Sequence, residues 1–274
     1  MTLNCQGNLL DLTVPKVMGI LNCTPDSFFD GGRYSSLDAL VQQAELMLDA
    51  GATFIDIGGY SSKPGAAEVS ESDELQRVLP VVKALRKSIP TALLSIDTFR
   101  SGVAQAVLDE GVALVNDITA GADPNMMATV AKYKVPYVMM HLRGNPQTMQ
   151  SLTQYENLIP DLLYYFAEKI QAAKAAGISD YIVDPGFGFA KTTEQNFEIL
   201  AHLDYFKSLE AALLIGVSRK SMVYKTLETT PDLALNGTTF LHGFALSKGA
   251  KILRVHDVKE AVECVTLFQK LHGI

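Results

Sequence analysis

Eight polar side chains recur in this chain, each at or beside the end of a short apolar run: Asn22, Asp56, Asp97, Asn116, His141, Asp184, Lys220 and His256. A charge in apolar surroundings is costly to desolvate unless it is paired or binds something. Any one of Asp56, Asp97 or Asp184 would serve as an ordinary helix cap, but three of them together with Asn116 call for a ligand. Carboxylates and an amide converging on one pocket suit a molecule with several N–H donors, such as the 2-amino-4-oxo edge of a pterin or guanine; acid or base catalysis is the competing role. The cations form a second set: GVSRKS supplies Arg219 and Lys220, and LRVHD supplies Arg254 and His256. Two adjacent cation pairs in a chain of formal net charge -7 read as an anion site rather than as solvated helix-opening charges. The amide oxygen of Asn22 is a hard donor suited to Mg²⁺, which usually keeps several waters and takes its other ligands from substrate phosphates. Ile118, Met139, Met140 and Phe189 offer an apolar cushion for a flat ring, although core packing is the commoner use of such residues.

The elements that must position these side chains are legible in the apolar runs. VMGILN, TFIDIG, ALLSID, VALVND, YVMMH, YIVDPG, LLIGVSRK and ILRVH each read as a strand buried on both faces. Helical spacing fills most gaps, over residues 37–50, 71–87, 103–110, 157–176, 193–206, 235–248 and 257–271. Eight repeated βα units predict an α/β fold of the (β/α)₈ TIM-barrel kind, one domain over residues 1–274, whose site lies in the loops after the strands. The first fifteen residues stand outside the repeat and predict a small ribbon under the barrel floor. Two post-strand loops, residues 23–36 and 58–70, are long and rich in turn formers, the setting of substrate clamps. The chain has 274 residues and 48% hydrophobic content, enough for a barrel core and its helical ring. Its acidic balance argues against nucleic-acid or anionic-membrane partners. No run approaches the roughly 18 apolar residues of a membrane-spanning helix, and no basic-then-apolar leader opens the chain. Cys5, Cys23 and Cys264 have neither a disulfide pattern nor metal-ligand spacing, which fits a reducing cytoplasm. His202, His242 and His272 fall within helical patterns and read as structural or surface residues.

The segments NCTPDSFFDGG, DIGGYSSKPGA, SIDTFR, NDITAG, HLRGNPQTMQ, DPGFGFAKT, GVSRKS and RVHD, in this order and spacing, resemble the dihydropteroate synthase family across nearly the whole chain. The resemblance implies a transferase of folate biosynthesis, a sulfonamide target, that joins 6-hydroxymethyl-7,8-dihydropterin diphosphate to 4-aminobenzoate with release of pyrophosphate. It implies a pterin site of Asp97, Asn116, Ile118, Met139, Asp184, Gly216, Lys220 and Arg254, with Asp97, Lys220 and Arg254 catalytic. Asn22, Ser62, Lys63, Arg254 and His256 would meet the diphosphate, with Asn22 on Mg²⁺. Phe28, Ser62, Pro64, Phe189, Lys220 and Ser221 would frame the aminobenzoate once the two long loops close over bound pterin diphosphate. A homodimer is implied as well. At positions 60–63 the family more usually has Glu-Ser-Thr-Arg where this chain has Tyr60, Ser61, Ser62 and Lys63; lysine meets phosphate as a point charge but lacks arginine's planar fork.

The chemistry expected of such a site is electrostatic. The exocyclic pterin carbon gives a ring-stabilised cation, so loss of pyrophosphate can precede attack, and no general base is compulsory. The neutral aromatic amine chiefly needs correct placement. Two rivals stand beside this reading. A methyltransferase barrel using the same pterin pocket would have no leaving diphosphate and so no use for the cations. A noncatalytic pterin binder would be marked by a lost anion-site residue, and Lys63 is the one such change.

Overall fold

Residues Thr2–Cys5 (β1) and Asn8–Asp11 (β2) pair antiparallel through a two-residue turn, with Gln6 (φ 53°) and Gly7 (φ 88°) both left-handed. Two positive φ angles give that turn the twist its strands need. The structure, a computed structural model, describes residues 1–23, 36–60 and 68–274. The ribbon's Leu3, Cys5 and Leu12 pack against Met18, Phe54, Leu114, Val138, Ile182, Leu214 and Ile252, and so close the floor of the barrel as expected.

Eight parallel strands follow: β3 (Lys16–Asn22), β4 (Phe54–Gly58), β5 (Leu93–Asp97), β6 (Leu114–Asp117), β7 (Tyr137–Met140), β8 (Tyr181–Asp184), β9 (Ala212–Ile215) and β10 (Ile252–Val255). Each pairs with its neighbour, and β10 closes on β3 with Ile252 beside Lys16 and Arg254 beside Met18. Alternation sorts their side chains into two cores. Val17, Leu21, Ile55, Ile57, Leu94, Ile96, Val115, Val183 and Val255 face the surrounding helices. The floor residues face inward, and two residues further along six of the eight strands that inner face turns polar or open: Phe54 is followed by Asp56, Leu93 by Ser95 and Asp97, Leu114 by Asn116, Ile182 by Asp184, Leu214 by Gly216, and Ile252 by Arg254, while Met18 on β3 and Val138 on β7 are followed by Ile20 and Met140. The inner core thus ends abruptly in a polar layer.

The outer ring contains α1 (Ser36–Asp49), α2 (Glu71–Ser88), α3 (Ser101–Leu108), α4 (Met126–Tyr133), α5 (Leu158–Ala175), α6 (Thr193–Ala201), α7 (Ser221–Thr226), α8 (Leu235–Lys248) and α9 (Val258–His272). Helix α2 starts at Ser70, whose hydroxyl accepts from the Asp73 amide, and α6 starts with a complete capping box between Thr192 and Gln195. The pattern over 193–206 breaks at Ala201, after which Leu203–Leu209 forms a 3₁₀ helix. Helices α4 and α7, of eight and six residues, are additions to the expected set. The LLIGVSRK run is strand only as far as Ile215, so Lys220 lies beyond a turn and caps α7 rather than ending β9.

Candidate active site

Asp56 is the hub of the polar layer. It is fully buried in mid-strand, and its carboxylate accepts from Ser95 Oγ (2.5 Å), Asn116 Nδ2 (3.0 Å) and Arg254 Nε (2.6 Å). A carboxylate can only accept, so the Asn116 amide turns its NH₂ toward Asp56 and its carbonyl oxygen away from it. Arg254 spans two strands, its Nη2 reaching Asp97 Oδ2 at 2.6 Å. The guanidinium is thereby fixed as a flat plate, one fifth exposed, between Asp56 and Asp97.

Burial raises Asp97 to about 7, with Arg254 opposing and Asp56 reinforcing the shift. Burial also works against the Arg254 charge, but Asp56 and Asp97 outweigh it and raise its pKa further. Across the mouth, Asp184 accepts from the Gly186 amide at 2.8 Å; its pKa is raised by burial, against the pull of Lys220. Burial brings Lys220 down to about 8, against Asp184. A methyl group placed on Gly216 would stand 3.9 Å from Asp184 Oδ2 and 4.0 Å from Lys220 Nζ. The missing side chain therefore leaves a slot between an acceptor and a cation.

The remaining expected residues divide clearly. Asn22 is exposed at the end of β3 and neighbours Asp97 across Gly58, where an added methyl would lie 3.9 Å from Asn22 Oδ1 and 3.8 Å from Asp97 Oδ2. Ile118 is buried just past β6. Phe189 is half-buried with its ring 4.6 Å from the Lys220 ammonium, and Ser221 opens α7. His256 is exposed, its amide donating to Ser218 Oγ at 3.2 Å. Met139 does not join them. Alternation places it on the outer face of β7 among the helix-facing core, whereas Met140 shares the inner face with Val138. Arg219 is likewise taken from the expected cation pair: its guanidinium grips Asp257 with two bonds of 2.8 and 2.6 Å. Phe28, Ser62, Lys63 and Pro64 lie outside the described residues.

Two contributors, Ser95 and Lys191, were not singled out by sequence, and for a third, Asp56, the role was not. Asp56 was visible as a polar strand residue, but its role as a hub depends on partners 39, 60 and 198 positions away. Ser95 had no signal of its own. Lys191 is buried with Nζ at 2.9 Å from His141 Nδ1, 3.1 Å from Gly186 O and 2.9 Å from Phe189 O. Burial drives His141 down to about 2, leaving a neutral ring, and with its proton on Nε2 the Nδ1 atom accepts from Lys191. Burial also lowers Lys191 while Asp184 opposes it; three acceptors around Nζ match the three donors of the ammonium, and we read it as charged.

Among the described residues, no group of three or more His, Cys, Asp or Glu could hold a metal ion. An ion at this mouth would thus rest on Asn22 and on the oxygens of a bound ligand.

The chain matches the family described as pterin binding enzyme over residues 18–256. It is 43% identical over 271 residues to the dihydropteroate synthase of Escherichia coli K12, covering 98% of this chain and 96% of that protein. The chain belongs to the dihydropteroate synthase family. Solved structures of that family superpose closely. The Yersinia pestis dihydropteroate synthase with a sulfonamide drug complex matches with a TM-score of 0.93 at 44% identity, with all of both chains covered. The Xanthomonas albilineans dihydropteroate synthase in complex with 7,8-dihydropteroate matches with a TM-score of 0.90 at 35% identity, again over all of both chains.

Proposed function

We propose that this chain is a transferase that condenses 6-hydroxymethyl-7,8-dihydropterin diphosphate with 4-aminobenzoate, giving 7,8-dihydropteroate and pyrophosphate. The observation that carries this reading is the polar layer over the apolar floor, where Asp184 and Asn116 present acceptors and Arg254 and Lys220 present fixed cations. The acceptors complement the N–H edge of the pterin, Arg254 lies over its ring, and Ile118 and Met140 bound its apolar faces. Arg254, His256 and the loop residues Ser62 and Lys63 take the diphosphate. Phe189, Ser221, Phe28 and Pro64 frame the aminobenzoate. Bound Mg²⁺ would neutralise part of the diphosphate charge, with Asn22 the side chain that holds it.

The bond from the exocyclic carbon to the diphosphate oxygen breaks with its electron pair leaving on oxygen, and the amine nitrogen forms the new bond and then loses a proton. Arg254 and Lys220 stabilise the charge that gathers on the leaving group. Asp97, as a carboxylate beside the mouth, stabilises the cationic carbon. Asp56 holds Arg254 and Asn116 in place. The work is confined to one domain, and three unpaired cysteines suit a reducing cytoplasm. Among the described residues no helix is long and apolar enough to cross a membrane. A second copy of the chain would cover the exposed Phe240, Leu267 and Leu271 of the mutually packed helices α8 and α9. The reading is tested by measuring steady-state pyrophosphate release from the pterin diphosphate with and without 4-aminobenzoate: sustained release over many turnovers should require the amine, and equal sustained release without it would make the protein a hydrolase.

Because Asp97 must be ionised and Lys220 protonated, kcat/KM should rise as pH passes about 7 and fall as it passes about 8. The limbs belong to a coupled set of groups, so the assignment is checked by variants. Asp97→Asn should remove the acid limb and Lys220→Arg the alkaline one; a profile unchanged in shape by both would refute these roles.

Pyrophosphate at a hundredfold excess over its Kd should stabilise the folded protein by about 2.7 kcal/mol. For a chain of this size that is a rise in Tm on the order of 5–10 °C. His256→Ala should reduce the rise at the same concentration, and an equal rise in the variant would remove His256 from the anion site.

A further inference from the structure

The segment from Asp184 to Lys191 holds three left-handed residues at alternate positions, Gly186 (φ 71°), Gly188 (φ 81°) and Ala190 (φ 50°). At Gly186 the path is obligatory, since an added methyl would lie 2.2 Å from the His141 carbonyl oxygen. Ala190 has no such freedom, and a non-glycine residue in this region persists only when its surroundings hold it there. The surroundings are unusually complete. Lys191 Nζ draws in the carbonyls of Gly186 and Phe189, Lys220 Nζ takes that of Phe187, and Tyr155 donates to that of Ala190 at 2.9 Å. The Gly188 amide is held by Asn196 Oδ1 at 2.8 Å. The two lysines thus grip the arc at three of its carbonyls, two held by Lys191 and one by Lys220.

We propose that Lys191 is a positioning residue for the second substrate: by tying Gly186 and Phe189 to His141 from within the wall, it sets the Phe189 ring and the Lys220 ammonium in the pose that receives 4-aminobenzoate. This rests on the functional reading above in placing the aminobenzoate against Phe189. His141 is the outer leg of the same tripod. Its ring packs edge-on to Tyr165 at 4.8 Å, which fixes Nδ1 toward Lys191. The pterin contacts come mainly from Asp184, Asn116 and Arg254, whose side chains spring from strands or strand ends, with Asp184 meeting the arc through the Gly186 amide. Loss of the tripod should therefore fall far more heavily on the aminobenzoate than on the pterin.

The test compares Lys191→Met, which keeps the stem and loses all three donors, with His141→Phe, which keeps the ring packing and loses one acceptor, and His141→Asn, whose amide oxygen can replace Nδ1. KM for 4-aminobenzoate should rise at least tenfold in Lys191→Met and severalfold in His141→Phe, with pterin Kd within twofold of wild type in both, and His141→Asn should recover most of the loss. Faster amide hydrogen exchange over residues 186–190 in the first two variants is expected without any substrate. An unchanged aminobenzoate KM in folded Lys191→Met, or equal weakening of both substrates, would overturn the proposal. Should Lys191→Met fail to fold, identical KM values in His141→Phe and His141→Asn would overturn it. If the wild type turns nothing over, the function fails by itself, and unchanged exchange in His141→Phe would then sink the positioning role separately.

Discussion

Arg254→Ala is expected to lower folding stability by roughly 3–5 kcal/mol as well as to abolish measurable turnover. Most interactions of an arginine at a protein surface contribute far less, and the difference here lies in Asp56. That carboxylate is fully buried, and Arg254 is the cation that touches it. Ser95 and Asn116 would still donate to Asp56 in the variant, but a buried anion would lose its counter-charge, and Asp97 would lose its partner as well. Calorimetric unfolding measures the loss directly. Arg254→Lys should recover only part, since an ammonium cannot fork to Asp56 and Asp97 together. Adding Asp56→Asn to Arg254→Ala should remove much of the penalty, because the neutral amide needs no cation; that non-additivity is the signature of the pair. A loss below about 1 kcal/mol in Arg254→Ala would place the pair among weakly coupled surface bridges.

Asp184→Ala should weaken pterin binding by about 1.5–3 kcal/mol, which is roughly 10- to 150-fold in Kd. Asp184 is buried at the mouth with one carboxylate oxygen held by the Gly186 amide, and its other oxygen borders the slot left by Gly216. A pterin bound there without the carboxylate would keep buried N–H donors with nothing to accept them. The cost falls on binding, so titration calorimetry with the pterin alone is the suitable readout. Asp184→Asn should lie between wild type and alanine, as it keeps an acceptor and loses the charge. Unchanged affinity in Asp184→Ala would mean that the pterin edge is recognised elsewhere.

The barrel was readable because parallel strands buried on both faces leave long apolar runs, and turn-rich loops mark where they end. The same burial hid the parity of the side chains. In YVMMH both faces are apolar, so nothing in the run distinguishes Met139, which faces the helices, from Met140, which faces the barrel interior. Asp56 could be seen as a charge in a strand, but three partners on three other strands make it a hub, and no local pattern encodes such pairings. Lys220 read as a strand end because LLIGVSRK is apolar up to its last residues; Gly216 ends the strand, and the turn through Arg219 at φ 53° carries Lys220 back over the mouth. Arg219 and Lys220 are adjacent and chemically alike, yet one clamps Asp257 and the other faces Phe189 and Asp184.

Incubation of the purified protein with the pterin diphosphate, labelled 4-aminobenzoate and Mg²⁺ tests the central claim most directly, with the product identified by chromatography and mass. Labelled 7,8-dihydropteroate should accumulate with one pyrophosphate per product. Tight pterin binding with no labelled product over many expected turnovers would contradict the claim and leave the protein a pterin binder.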